Sequence, residues 1–209
     1  MPFNKRSVKS HHAEPVAWFG ELTNQGISQA TLSAFRFALT EPGQDVMRAK
    51  RTVACLLYVQ GSDMLRIEEV LTRFSGTRNG IAGPVRQATA RTCDVLPMVA
   101  KAAMLIHSGL DLGDRLSRLL VRLDLGVAAS IVDIAGQART GLDRSDYQRL
   151  AAKGLVESDA IAGTADEVLL ALLGGRDKVA CLRRAAEHIA ETRGLRTLDT
   201  APLLGTYLG

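Results

Sequence analysis

Apolar side chains recur along this chain at three- and four-residue intervals, the spacing that gathers them on one side of an α-helix. The longest such stretch runs from Pro84 to Ile106. At about 100° per residue, Val85, Ala88, Thr92, Val95, Leu96, Val99, Ala103 and Ile106 fall in one arc. Arg86, Gln87, Arg91, Asp94 and Lys101 fall in the opposite arc. Pro97 lands on the polar side and the apolar phase continues across it. One long helix kinked at the proline is therefore predicted, rather than two separate helices. About 24 residues at 1.5 Å each make a rod of roughly 36 Å. One side of it would be packed and the other would carry arginine.

The next stretch repeats the theme. Leu112, Leu116, Leu119, Leu120 and Leu123 form an apolar stripe, while Arg115, Arg118 and Arg122 form a narrow basic stripe on another face. Asp111 and Asp114 sit in the first turn, where the helix dipole favours negative charge. Gly126 then predicts a C-cap and a domain junction. Upstream, Ser28 can cap a helix running to about Thr40 with Leu32, Phe35, Phe37 and Leu39 packed. Helices follow from about Asp45 to Val59 and around Leu65, Ile67, Val70, Leu71 and Phe74, and SGTRNGIAG reads as a loop. Trp18 and Phe19 are expected to anchor their segment to the core. After Gly126 the pattern shortens to helices at 128–138, DYQRLAAKGL, ADEVLLALLGG and RDKVACLRRAAEHIAETRG, joined by glycine-containing turns. No convincing period-2 alternation appears beyond the first thirty residues. The expectation is an all-α chain: a basic disordered arm at 1–15, a helical bundle at 16–126 with one long kinked helix, and a small helix-hairpin-helix-like domain at 127–209.

Composition narrows the function. Aromatic residues make up only 4% of the 209, and the net charge of +4 permits a polyanionic partner without requiring one. Of the 26 cationic residues 20 are arginine, the side chain suited to bidentate phosphate contact. Cys55, Cys93 and Cys181 are isolated, with no CxxC and no Cys/His cluster at zinc spacing, so reduced thiols, a cytoplasmic setting and no metal are expected. No apolar run approaches the ~18 residues of a membrane span, and the basic N-terminus lacks the hydrophobic run of a signal peptide.

Two turns invite an anion. Gly141, and again Gly174 with Gly175, precede a helix N-terminus, where backbone N–H groups can hold a phosphate without reading a base. Arg144, Arg176 and Lys178 stand beside those turns. Asp143 and Asp177 can cap the same helices and would compete for the donors. Catalysis has no foothold: GGRDK at 174–178 lacks both the leading glycine and the magnesium-holding hydroxyl of a phosphate-binding loop, and no Ser/His/Asp or Cys/His grouping stands out. No cofactor is expected.

Read in order, LLYVQGSDMLRIEEVL, PVRQATARTCDVLPMVAKAA, and LLVRLDLGVAASIVDIAG with RSDYQRLAAKGL resemble the C-terminal half of a ratchet-type superfamily-2 DEAD/DEAH-box helicase. The resemblance covers roughly residues 44 to 190 and rests on order and local pattern. It implies the end of a winged-helix domain, a ratchet domain whose long helix touches the translocating strand, and a helix-hairpin-helix terminus. Pro84 to Ile106 would be the ratchet helix, with Arg86, Arg91 and Lys101 as strand contacts. Two positions depart from the family pattern. Asp94 stands where a bulky aromatic is frequent, and Gly141, Leu142, Asp143 replace two glycines around an apolar residue. Both motor domains are absent, so the chain would be a C-terminal fragment or a freestanding relative. The implied partners are single-stranded or branched nucleic acid, DNA ahead of RNA, and motor domains in the same polypeptide or assembly.

The first expectation is thus a non-catalytic nucleic-acid-binding helicase module, with candidate contacts at Arg86, Arg91, Lys101, Arg115, Arg118, Arg122, Gly141, Arg144, Gly174, Gly175, Arg176 and Lys178. The rival is a helical protein-interaction scaffold whose arginines only solubilise it. A regulator with its own small-molecule pocket is a third reading, and no residue pattern supports it. Salt separates the first two, because phosphate contacts weaken steeply with ionic strength and apolar docking does not.

Overall fold

A computed structural model describes residues 13–40, 46–72 and 80–199. Among these residues every regular element is helical, with eleven α-helices and no strand, as the 3.6-residue periodicity predicts. The chain divides into two compact units after Ala129.

The first unit holds α1 (Ala13–Asn24), α2 (Gln29–Thr40), α3 (Val46–Val59), α4 (Met64–Thr72), α5 (Ala82–Ile106) and α6 (Gly113–Leu125). Its hub is α3, which packs against all five of the others. Val53, Ala54, Leu57 and Tyr58 of α3 meet Trp18, Leu22, Leu32, Phe35, Ile67, Leu71 and Val85 in one buried cluster. Trp18 is fully enclosed, so it is the anchor its position suggests, while Phe19 is half-buried beneath the Arg36 guanidinium. Helix α1 starts at Ala13, inside the stretch expected to be an arm, because Pro15 fits a first turn where no backbone N–H is needed. Residues 1–12 lie outside the described ones, as do Phe74 and most of the SGTRNGIAG loop. Ser28 caps α2 as predicted, its Oγ accepting from the Thr31 N–H. Phe37 is a correction: it is exposed, since it projects about 200° from Phe35, which takes the core side.

Helix α5 runs unbroken through Pro97 for 25 residues, as its apolar phase predicts. Its packing is narrower than its apolar arc. Only Val85, Thr89 and Ala100 are buried, while Val95, Val99 and Ile106, all expected on the packed side, are exposed. The reason is rotation. Thr89 and Ala100 lie about 40–60° to one side of Val85 on the helix, whereas Val95, Val99 and Ile106 lie about 40–80° to the other, the side on which Val95 lines a groove. Helix α6 packs on α5 and ends at Gly126, whose left-handed backbone (φ 68°) lets its N–H reach back to the Arg122 carbonyl at 2.8 Å.

The second unit contains α7 (Val132–Gln137), α8 (Arg144–Ala152), α9 (Ser158–Ala162), α10 (Asp166–Leu173) and α11 (Arg176–Asp199). Helix α11 packs on α7, α9 and α10, and α8 packs on α10. Ile134, Leu150, Ile161, Leu169 and Leu182 form its interior. The helix expected over 128–138 is a 3₁₀ turn at Ala129–Ile131 followed by α7, and the five-residue α9 fills a stretch expected to be a turn.

Candidate nucleic-acid interface

A groove of about 1110 Å³ opens in the first unit among α3, α5 and α6. Its floor is aliphatic, built from Leu56, Val59, Leu96, Leu119 and Leu123. Cys55 also lines it, its thiol 3.8 Å from the Thr92 hydroxyl and pushed upward in pKa by burial. Three exposed guanidiniums stand at its edge: Arg48 and Arg51, one helical turn apart on α3, and Arg91 on α5. The described residues lining it include no carboxylate and no aromatic ring. Such a groove can hold anionic groups at its rim and exclude water from an apolar body below, but it has no ring on which to stack a base.

The expected polar face of α5 is split. Arg91 faces the groove, whereas Arg86 and Lys101 are exposed and line none of it. About 140° of helix rotation separates Arg86 from Arg91, which explains their different surroundings. On α6, Arg115 and Arg118 are exposed; Arg115 lies one turn before the groove residue Leu119, and Arg118 immediately precedes it.

Arg122 is turned inward. Its Nη2 donates to the Val59 carbonyl at 2.7 Å, satisfying a backbone oxygen that the end of α3 leaves without a helical partner. Burial, with Arg118 nearby, lowers its pKa from the ordinary arginine value. Arg122 therefore ties α6 to α3 and leaves the outer basic stripe to Arg115 and Arg118.

At the first glycine turn of the second unit, and at Lys178, the structure gives a correction. At Gly141 the backbone N–H is already given to the Ala138 carbonyl (3.1 Å), which accepts the Leu142 N–H and the Tyr147 hydroxyl as well. The α8 N-terminus behind it is occupied from within the chain. Asp143 accepts the N–H groups of Ser145 (2.9 Å) and Asp146 (3.1 Å), and the Asp146 carboxylate takes the Asp143 N–H in return (2.9 Å). Lys178, expected to be a phosphate contact, instead bridges both carboxylates, at 3.1 Å to Asp143 and 2.7 Å to Asp146. Arg149 also pairs with the fully buried Asp146. The Ser145 hydrogen bond first, then the Asp146 N–H and Lys178, hold the Asp143 carboxyl well below the usual range. A phosphate arriving here meets two carboxylates on the donors it needs.

Gly174 is the left-handed C-cap of α10 (φ 73°), its N–H spent on the Leu170 carbonyl. Arg144 and Gly175 are half-buried, and Arg176 is exposed at the start of α11. Charge follows the same division. Residues 1–129 hold 16 cationic and 11 acidic side chains, residues 130–209 hold 10 and 11, so the basic excess lies wholly in the first unit.

Sequence reading missed Arg48 and Arg51, whose helix shows an apolar stripe but whose nearness to α5 is a tertiary fact. It also missed Arg183, which reaches the carbonyls of Ile161, Ala162 and Thr164 and the Asp166 carboxylate, closing the α9–α10 turn. Among the described residues no group of three or more His, Cys, Asp or Glu could hold a metal ion, and no helix is long and apolar enough to cross a membrane. Compared with known proteins, the chain matches no family model, no curated protein and no solved structure.

Proposed function

We propose that this chain is a non-catalytic helical module that binds single-stranded nucleic acid in the α3/α5/α6 groove and works with a helicase-type motor in the same polypeptide or assembly. One observation carries the reading: three guanidiniums from two helices border the groove, and the described residues that line it include no carboxylate. Phosphates would lie against Arg48, Arg51 and Arg91, with Arg115 and Arg118 extending the positive field along α6. The aliphatic floor would shield sugar and base without reading an edge, which makes binding weak and tolerant of sequence. ATP turnover belongs to the motor. The resemblance supplies the helicase context, and the confinement of the basic excess to the first unit supports the choice of surface.

The test is fluorescence anisotropy with a labelled oligothymidylate. Replacing Arg48, Arg51 and Arg91 together by alanine should weaken binding at least tenfold at low salt, because roughly three phosphate contacts are lost. Replacing Arg86 and Lys101, which lie off the groove, should weaken it less than about threefold, through the long-range field alone. Equal losses in the two variants would remove the groove from the reading.

A further inference from the structure

Helix α5 carries a second pattern, which starts at the groove-lining Arg91 and Val95 and runs on past the groove. Arg91, Val95, Met98, Ala102 and Leu105 follow one another at intervals of four, three, four and three, and all five are exposed. That spacing is the a/d seam of a coiled coil. The apolar members are open to an unusual degree: Val95 57%, Met98 71% and Leu105 79%. Val99 (55%) and Ile106 (75%) flank the seam on one side, at the e positions. Asp94 and Lys101 flank it on the other, at the g positions, and both are exposed. Pro97 falls at a c position, off the seam.

Charge decides which helix can cover this face. In a parallel pair each g residue meets an e residue of the partner, so Asp94 and Lys101 would both lie against apolar Val99 and Ile106. In an antiparallel pair g meets g. A twofold axis passing between residues 96 and 97 then sets Asp94 of each copy beside Lys101 of the other, twice over. The same axis sets Met98 across from Val95 and Ala102 across from Arg91. The face is complementary to itself in one orientation and not in the other, the property an isologous interface requires. Size agrees. The five open apolar side chains offer at most about 600 Å² per copy, so a ceiling of about 1,200 Å² in all, which reaches the lower end of a specific interface only when the seam and its flanks are fully covered.

We propose that α5 pairs antiparallel with α5 of a second copy of this chain, through the Val95/Met98/Ala102/Leu105 seam with Asp94–Lys101 bridges on its margin. Sedimentation velocity of the full chain should show a concentration-dependent shift from 22.4 kDa towards twice that mass. Met98→Glu should weaken the association at least tenfold, since it buries a carboxylate at the centre of the seam. Asp94→Lys and Lys101→Asp should each weaken it by about fivefold, through like charges at the margin. The double variant Asp94→Lys/Lys101→Asp should return it to within about threefold of the parent, because the bridges re-form with reversed polarity. All three positions are exposed, so far-UV circular dichroism should be unchanged. A parent that stays monomeric, or that associates only when an oligothymidylate or another protein is added, overturns the proposal. So does an association indifferent to Met98→Glu, or a double variant no better than its singles, which excludes the antiparallel register.

Discussion

Replacing Gly141 by alanine distinguishes a packing glycine from an anion-binding one. An ideal Cβ at this position would lie 2.3 Å from the Cys181 sulfur and 2.7 Å from the Cys181 Cβ. Both distances are far inside van der Waals contact, and the second involves an atom fixed to the α11 backbone. Neither side has room to give, because Gly141 closes the turn onto the Ala138 carbonyl and α11 packs on α7. Overpacking of this kind costs about 1–3 kcal/mol. For a unit of this size 1 kcal/mol moves Tm by about 4–8 °C, so a drop of roughly 4–24 °C is expected in the second unit. Trp18 is the only tryptophan and lies in the first unit, so its fluorescence should melt as in the parent while far-UV circular dichroism shows the early loss. Cys181→Ala in the Gly141→Ala background removes the sulfur contact and keeps the Cβ contact, so recovery should be partial. Affinity for an oligothymidylate, measured well below the transition, should not change. An unaltered melt would refute the packing argument, and lost affinity in a fully folded variant would return Gly141 to the binding surface.

Other consequences follow from the same geometry. Arg122→Ala should destabilise the first unit by about 1–3 kcal/mol, since it strips the Val59 carbonyl of its donor, whereas exposed Arg115→Ala should stay within about 0.5 kcal/mol; equal shifts in the Trp18 melt would contradict the inward role of Arg122. Asp143 titrates below its unfolded value near 3.9, so its contribution is complete above about pH 4 and fades as pH falls below that. The stability gap between the parent and Asp143→Asn should therefore narrow in acid, and a gap that is constant down to about pH 2 would show that the charge is not the cause. The chain alone should release no phosphate from ATP, with or without nucleic acid, because GGRDK has no magnesium-holding hydroxyl; stimulated release above a buffer control would assign it a motor activity of its own.

Helix identity was legible because it is local. The 3.6-residue phase of α5 continues across Pro97, and Gly126 marks the end of α6 by its freedom to adopt a left-handed backbone. What each side chain does was less legible, because that depends on neighbours distant in sequence. Arg115, Arg118 and Arg122 look alike on a helical wheel, yet Arg122 alone meets a carbonyl 63 positions away. Lys178 reads as a phosphate contact until the start of α8 brings Asp143 and Asp146 to it from more than 30 positions upstream. Gly141 precedes a helix N-terminus as a phosphate-binding glycine would, and its actual constraint is the Cys181 side chain pressed against it. The apolar arc of α5 predicted burial of its whole width, while the placement of α3 and α6 determines which side of that arc is covered, so Val85 and Ala100 are buried and Val95 and Val99 are not. Arg48 and Arg51 carried no signal of their own until α5 made the other wall of a groove.

The salt dependence of single-strand binding tests the central claim most directly. Anisotropy titrations of a labelled oligothymidylate, repeated across a series of salt concentrations, give log affinity against log salt. With three to five phosphates held, the slope should lie between about −2 and −3.5, at roughly −0.7 per contact, and the Arg48/Arg51/Arg91 alanine variant should lose about 2 of it. A parent that binds nothing at low salt, or whose affinity does not change with salt, contradicts a phosphate-binding groove and leaves the arginine-rimmed surface to a protein partner.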